Sequence, residues 1–217
     1  VHQSGGVDWL DFSAWIHWDK DTHDELFEHF AELKKEAKLA KLSRTKPMPH
    51  HRVNAHCNLQ ILPHSIGRGI VCQYAFEHEG MSIAFTDRRE FSESRPNCRV
   101  SIPGLPLTIN GHEDCWFWVK QTIEALGGEL VRSNVSRLDL CADVLCDAEP
   151  LVKAVLNKQV IKRANKLDPR GLLNPHQLFE RWTGFDVGTN PHLCWYDNLL
   201  QIKKMAPEKL ELMMQPR

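Results

Sequence analysis

The sequence lacks several features that would point to common classes of protein. No stretch approaches the ~20 consecutive apolar residues of a membrane-spanning helix, and the N-terminus has no signal-peptide pattern, so we expect no membrane association. The seven cysteines form no CxxC pair and are odd in number, which favours reduced thiols in a cytoplasm over a disulfide framework. Lys and Arg together number 27 against 28 Asp and Glu, so a nucleic-acid surface would require local clustering of charge.

The 217 residues, 42% of them apolar, are enough for a substantial core. Strand-like and helical patterns alternate along the chain. Helices are predicted over 23–43, after the capped Asn110, and over 149–158; strands are predicted over 7–18, 55–62, 69–77, 81–86, 99–102, 129–132, 135–144, 185–188 and 193–200. This order predicts an α+β fold with an antiparallel-rich central sheet and helices packed mainly on one face. We expect residues 1–217 to form a single catalytic domain. The chain starts without Met, which indicates an excerpt of a longer protein, and truncation of the domain at its C-terminus is an open alternative.

The stretch 135–144 is the most informative strand, because its side chains alternate between two kinds of face. The apolar face is expected to pack on the core and carries Leu138, Leu140, Ala142 and Val144. The polar set on the other face comprises Arg137, Asp139, Cys141 and Asp143. Ionised side chains are costly to bury without a partner. The sequence therefore predicts a metal, a phosphate or a mutual ion pair on this face.

Tyrosine is scarce, and only Tyr74 and Tyr196 occur. Tyr74 lies in an apolar run and is typical of sheet packing. Tyr196 follows a Gly-Thr-Asn turn and is adjacent to Asp197. An ordinary strand aromatic and a nucleophile are both open readings of Tyr196 from its position alone.

Four stretches in this order resemble the replication-initiation factor family, which contains rolling-circle plasmid initiators and related relaxases of conjugative elements. The opening strand resembles the family's (I/V)DWLxhT start, and a sheet-helix stretch follows. The strand at 136–143 resembles TRxDhAxD. The segments at 184–189 and 195–198 resemble GxTxYxGSxxSxxxxRxYDK. The matching stretches are Val7–Phe12, Arg99–Leu126, Ser136–Asp143, and Gly184–Thr189 with Trp195–Asn198.

The resemblance implies a sequence-specific DNA nickase and strand transferase. Tyr196 would attack one DNA strand, giving a 5′-phosphotyrosine and a free 3′-OH. Asp139 would bind Mg²⁺ or Mn²⁺, and Asp143 would be a second ligand or a support. Arg137 would hold a phosphate or orient Asp139. A host helicase and polymerase are expected partners besides origin DNA, and a homodimer is an open alternative.

Three departures from the family pattern leave alternatives open. Asn198 replaces a lysine, Gln201 replaces an acidic residue, and Cys194 stands where the family usually has arginine. The first alternative is a catalytically reduced or inactive relative that binds DNA. The second is an unrelated α+β protein in which Arg137 and Asp139 form a structural pair. The His-hydrophobic-His metal pair of the other large class of rolling-circle nickases is absent, since no two of the twelve histidines lie at i and i+2.

If the chain binds nucleic acid, two basic surfaces are expected to contact phosphates without sequence preference. One is the lysine-rich outer face of the first helix, at Lys34, Lys35, Lys38 and Lys41, for which an ordinary solvated helix face is the favoured interpretation. The other is a basic stretch formed by Lys158, Lys162, Arg163, Lys166 and Arg170.

Overall fold

The computed structural model describes residues 3–43, 47–54, 57–67, 70–88, 91–144, 150, 153–154, 174–178, 181–187 and 193–196. The chain divides into two compact units, Gln3–Asp143 and Val144–Arg217 with Val1–His2, and each is described by itself. The expectation of a single domain stays a prediction. No helix among the described residues is long and apolar enough to cross a membrane.

A seven-stranded sheet and two helices make up the first unit. The strand order is β2-β3-β4-β5-β6-β1-β7. The elements are β1 (Gln3–Trp18), α1 (Lys20–Ser43), β2 (His50–Arg52), β3 (Asn58–Ile61), β4 (Tyr74–His78), β5 (Met81–Phe85), β6 (Cys98–Pro103), α2 (Gly104–Ala125) and β7 (Gly128–Val144). The predicted α+β class with an antiparallel-rich sheet is therefore confirmed.

Both helices pack on the same face of this sheet. Helix α1 buries Phe27, Phe30 and Ala37, whose spacing follows the helical period, and α2 adds Val119 and Ile123. Together with alternate residues of β1, β3, β4, β5 and β6, these side chains form one hydrophobic cluster. The opposite face, which we call the polar face, is the one on which the candidate site lies.

The predicted helix boundaries are close to the observed ones, with one informative difference. Helix α2 begins at Gly104, six residues before the expected cap at Asn110, and a kink at Gly111 (φ 80°) divides it. Only glycine adopts this left-handed conformation without strain. The cap-like residues therefore mark the kink, and the helix after it follows the predicted apolar spacing. The predicted helix at 149–158 lies mostly outside the described residues.

Lys34, one of the four lysines expected on the solvated outer face of α1, is partly buried instead. Lys34 donates hydrogen bonds to Ser65 Oγ and to the backbone carbonyl of Gln73, and its ammonium lies over the Tyr74 ring. Partial burial, with a smaller contribution from Lys38, lowers the pKa of Lys34. Tyr74 is 7% exposed, as expected for a packing residue.

Asn97 continues the pairing of β6 with β1 through its side chain. Its Oδ1 accepts from the Ile16 N–H at 2.8 Å, and its Nδ2 donates to the Ile16 carbonyl at 2.7 Å. Both groups are buried, so Asn97→Ala would leave them without these partners. Because an unsatisfied buried polar group costs about 1–3 kcal/mol, we expect a loss of that size in the free energy of unfolding.

Urea denaturation measures this loss, with Asn58→Ala on the exposed face of β3 as the control. A loss for Asn97→Ala no greater than the control's would contradict the bridging role of Asn97.

The second unit contains a three-stranded antiparallel sheet in the order β10-β9-β8. Its strands are β8 (Asn174–Leu178), β9 (Arg181–Val187) and β10 (Leu193–Tyr196). The two closing strands predicted from the sequence correspond to β9 and β10. Cys57, Cys72, Cys98 and Cys115 of the first unit are buried and form no disulfide. The expectation of reduced cysteines in a cytoplasm stays a prediction.

Candidate functional site

A buried carboxylate forms the base of the site on the polar face. Asp11 is only 6% exposed on β1. The Trp9 indole donates to Asp11 Oδ1 at 2.7 Å, and a guanidinium nitrogen of Arg99 lies 3.5 Å from Oδ2. Strand pairing explains this arrangement, because β1 and β6 are antiparallel with Asp11 opposite Ser101 and Ser13 opposite Arg99. A buried charge requires such a partner, so Asp11 fixes the positions of the indole and of Arg99.

The adjacent strand β7 adds the second half of the site. Arg137 donates from Nε to both carboxylate oxygens of Asp139, at 3.0 Å each, and from Nη2 to Oδ2. Its guanidinium carbon lies 4.7 Å from the centroid of the Trp9 ring, within the range of a cation–π interaction. The hydrogen bonds to Asp139 raise the pKa of Arg137 above its ordinary value. An arginine guanidinium is charged at every physiological pH, and Asp139 favours that charged form further.

These groups line a cavity of about 900 Å³ on the polar face. Its chemistry combines two guanidinium groups, the Asp11 carboxylate, an indole and three hydroxyls. The lining residues are Trp9, Asp11, Ile66, Gly67, Ser82, Arg99, Ser101, Ser136 and Arg137. Arginine and hydroxyl groups hydrogen-bond phosphate oxygens, and an aromatic ring can stack on a nucleic-acid base. The cavity therefore suits a phosphate-containing ligand.

The apolar set of β7 does not pack on the core as expected. Leu138 is 52% exposed, Leu140 is 74% exposed, and Ala142 is also exposed. The reason is that β7 lies at the edge of the sheet, whereas the two helices contact strands further inside it. The prediction that Leu138, Leu140 and Ala142 are buried is therefore wrong, and the side chain of Val144 lies outside the described residues.

The predicted catalytic residues fall in both units. Arg137 and Asp139 are together on β7, as a mutual ion pair. Asp143 lies near the end of the same strand, and its side chain is outside the described residues. Tyr196 is the last residue of β10, opposite Gly184, and its side chain is likewise not described. The proximity of Tyr196 to Asp139 stays a prediction. The basic residues Lys158, Lys162, Arg163, Lys166 and Arg170 lie outside the described part of the chain.

The surroundings of Asp139 do not fit a divalent metal ion. Arg137 donates to both carboxylate oxygens, which places a positive charge where the ion would bind. No three His, Cys, Asp or Glu side chains of the described residues converge on a common point as metal ligands would. The expected Mg²⁺ or Mn²⁺ stays a prediction.

Three residues of the site, Trp9, Asp11 and Arg99, were not predicted as site residues from the sequence. The alternation of β1 already places Trp9 and Asp11 on one face. Arg99 lies on the next strand of the sheet but 88 positions along the chain from Asp11. Local spacing therefore indicates that Trp9 and Asp11 share a face, but it cannot indicate the contact of Asp11 with Arg99.

Comparison with known proteins gives no further assignment. A scan against protein-family models and a search of curated proteins both found no match to this chain. The resemblance to replication-initiation factors therefore stays a prediction that rests on the motifs.

Proposed function

We propose that this chain is a DNA-nicking protein of the rolling-circle initiator type. In this proposal single-stranded DNA lies on the polar face of the seven-stranded sheet, and Tyr196 cuts it. The observation that carries the proposal is the pairing of Arg137 with Trp9 beside Arg99 in one cavity. That combination offers two cations for the DNA backbone and a ring for a base.

The reaction is a transesterification at phosphorus. The Tyr196 hydroxyl gives up its proton to water, and the resulting phenolate attacks the scissile phosphodiester and forms a new O–P bond. The bond to the 3′ oxygen breaks, and that oxygen takes up a proton to become the free 3′-OH. Arg137 and Arg99 stabilise the negative charge that develops on the non-bridging oxygens. Asp139 acts by positioning the Arg137 guanidinium, and the free 3′-OH is available to a host polymerase.

A second candidate function is DNA binding without cutting. Arg137 engages both oxygens of Asp139, and the chain has Cys194, Asn198 and Gln201 where the family has two cations and an acid. These features favour a relative that retains the DNA surface and has lost metal-assisted chemistry.

A nicking assay separates the two functions. The chain is incubated with supercoiled plasmid that carries the candidate origin of its own genetic element, with Mn²⁺ or Mg²⁺ and in parallel with EDTA. The proposal predicts open circles with protein attached covalently to the 5′ end of the nick. Binding in a mobility-shift assay without any adduct supports the second candidate instead. The absence of both binding and nicking would overturn both.

Trp9→Ala is expected to weaken binding of single-stranded DNA. Stacking of a base on an aromatic side chain contributes about 1–3 kcal/mol, so the binding free energy should become less favourable by that amount. Fluorescence anisotropy with a labelled oligonucleotide measures the change. Trp9→Phe, which keeps a ring, should recover part of the affinity.

Phe117→Ala is the matched control, because Phe117 is an aromatic residue 62% exposed on α2. Equal losses for Trp9→Ala and Phe117→Ala would contradict a specific role for the polar face.

A further inference from the structure

The two edges of the seven-stranded sheet are very different. At one edge β2 has only three residues, and His50 and Arg52 are its ends. Short, polar strands of this kind protect an edge from pairing with another chain. At the other edge β7 has 17 residues, and among the described strands only β1 pairs with it. Within the described part of the chain, one side of this long strand therefore presents backbone groups that no other strand pairs with.

The side chains of β7 add apolar surface to this edge. Leu140 is 74% exposed, Val135 is 63% exposed and Leu138 is 52% exposed. A long edge strand with exposed apolar side chains is a template for further strand pairing. Leucine and valine at this exposure gain free energy when another strand covers them.

We propose that β7 pairs antiparallel with β7 of a second copy of this chain, about a two-fold axis at Leu138. This inference is independent of the proposed function, because it rests on the edge and its charges. With the axis at Leu138, Arg137 lies directly opposite the partner's Asp139, and Asp139 lies opposite the partner's Arg137. Opposite charges across an antiparallel pair are stabilising, and a two-fold axis forms each such contact twice.

The charges of β7 also disfavour the neighbouring registers. An axis at residue 137 would place two arginines opposite each other, and an axis at residue 139 would place two aspartates there. Like charges directly opposite are destabilising. With the axis at Leu138, the two Leu138 side chains are opposite each other, and each Leu140 lies opposite the partner's Ser136.

The proposed dimer has a consequence for the candidate site. Arg137 and Asp139 point to the polar face, so the partner's Asp139 joins the ion pair beside each cavity. The two sheets continue into each other through β7, and both polar faces lie on the same side of the joined sheet. A two-fold related pair of cavities results, separated by the two β7 strands.

Sedimentation velocity tests the dimer with the chain as it stands. The molar mass obtained for the wild-type protein should be twice the 25.0 kDa mass of one chain. Leu140→Glu, which replaces an apolar side chain of the proposed interface with a charged one two residues from the axis, should sediment as a monomer. Leu42→Glu is the control, because Leu42 is 81% exposed on α1, away from β7, and this variant should stay a dimer. Circular dichroism checks that each variant is folded.

Mixing two charge variants tests the register. Arg137→Asp gives a chain with two acids at 137 and 139, and Asp139→Arg gives a chain with two arginines there. Each variant alone should be a monomer, because like charges face each other across the axis. Their equimolar mixture should form a heterodimer, although the ion pair within each chain stays broken. An intrachain role for the pair cannot produce this recovery.

Two outcomes would overturn the proposal. One is a wild-type protein that sediments as a monomer at micromolar concentrations, including the case in which hydrogen exchange shows β7 covered by another segment of its own chain. The other is a dimer that survives both Leu140→Glu and Arg137→Asp, since the interface would then lie elsewhere.

Discussion

Tyr196→Phe is expected to abolish the covalent adduct between protein and DNA. Phenylalanine lacks the hydroxyl that the proposal assigns as the nucleophile, so no O–P bond can form at residue 196. Binding of the DNA should be unchanged, because the proposed contacts to the strand are made by residues of the first unit. Denaturing electrophoresis after incubation with labelled origin DNA measures the adduct, and a mobility shift measures the binding.

The chain supplies its own control for this experiment, since Tyr74 is the only other tyrosine. It is 7% exposed in the core cluster beneath α1, so Tyr74→Phe should keep the adduct. An adduct that persists in Tyr196→Phe would rule out Tyr196 as the nucleophile.

Arg137→Ala is expected to slow nicking by roughly 100- to 1000-fold, the usual effect of removing one group that stabilises developing charge in a transition state. The effect on folding should be small, because Arg137 and Asp139 have side chains that are 50% and 38% exposed and exposed ion pairs contribute little to stability. Arg137→Lys keeps the charge and loses the planar fork of donors, so its rate should lie between those of wild type and Arg137→Ala. Single-turnover nicking with excess protein measures the rate, at protein concentrations where the oligomeric state of each variant is known.

Arg132→Ala is the matched control for Arg137→Ala. Arg132 lies on the same strand with its guanidinium carbon 3.9 Å from the centroid of the Trp15 ring, and it is not among the residues that line the 900 Å³ cavity. It should nick at the wild-type rate. Equal losses for Arg132→Ala and Arg137→Ala would show that a general loss of positive charge on β7, rather than the cavity, explains the effect.

The sequence predicts the elements of the first unit well, because their apolar periods are long and regular. The helical spacing of Phe27, Phe30 and Ala37 predicts α1, and the period-two alternation of β1 predicts its two faces and its end at Trp18, although the strand begins at Gln3, four residues before the predicted start. The turn between β4 and β5 has positive φ at Glu79 and Gly80, as the two central residues of a type I′ hairpin turn require.

The burial of β7 could not be predicted in the same way. The alternation of side chains along β7 predicts which of them share a face, and Leu138 and Leu140 do share one. It does not state whether a helix covers that face, since coverage depends on the place of the strand in the sheet. The sequence of β7 resembles that of a core strand, and its place at the edge is a property of the whole topology.

The candidate site likewise contains one contact that the sequence predicts and two that it does not. The pairing of Arg137 with Asp139 is local to β7 and was one of three outcomes that the sequence left open. The contact of Arg99 with Asp11 depends on the register of β6 against β1, and the position of Arg137 over Trp9 depends on β7 lying next to β1. No spacing within one segment encodes either contact.

The most direct test of the central claim is photochemical crosslinking of single-stranded DNA to the chain. An origin oligonucleotide with bromodeoxyuridine at successive positions is irradiated with the protein, and the crosslinked peptides are identified by mass spectrometry. The account predicts crosslinks in the β1 peptide that contains Trp9, with loss of that crosslink in Trp9→Ala. Crosslinks confined to α1, α2 or the basic stretch at 158–170, with none in β1, β6 or β7, would contradict it.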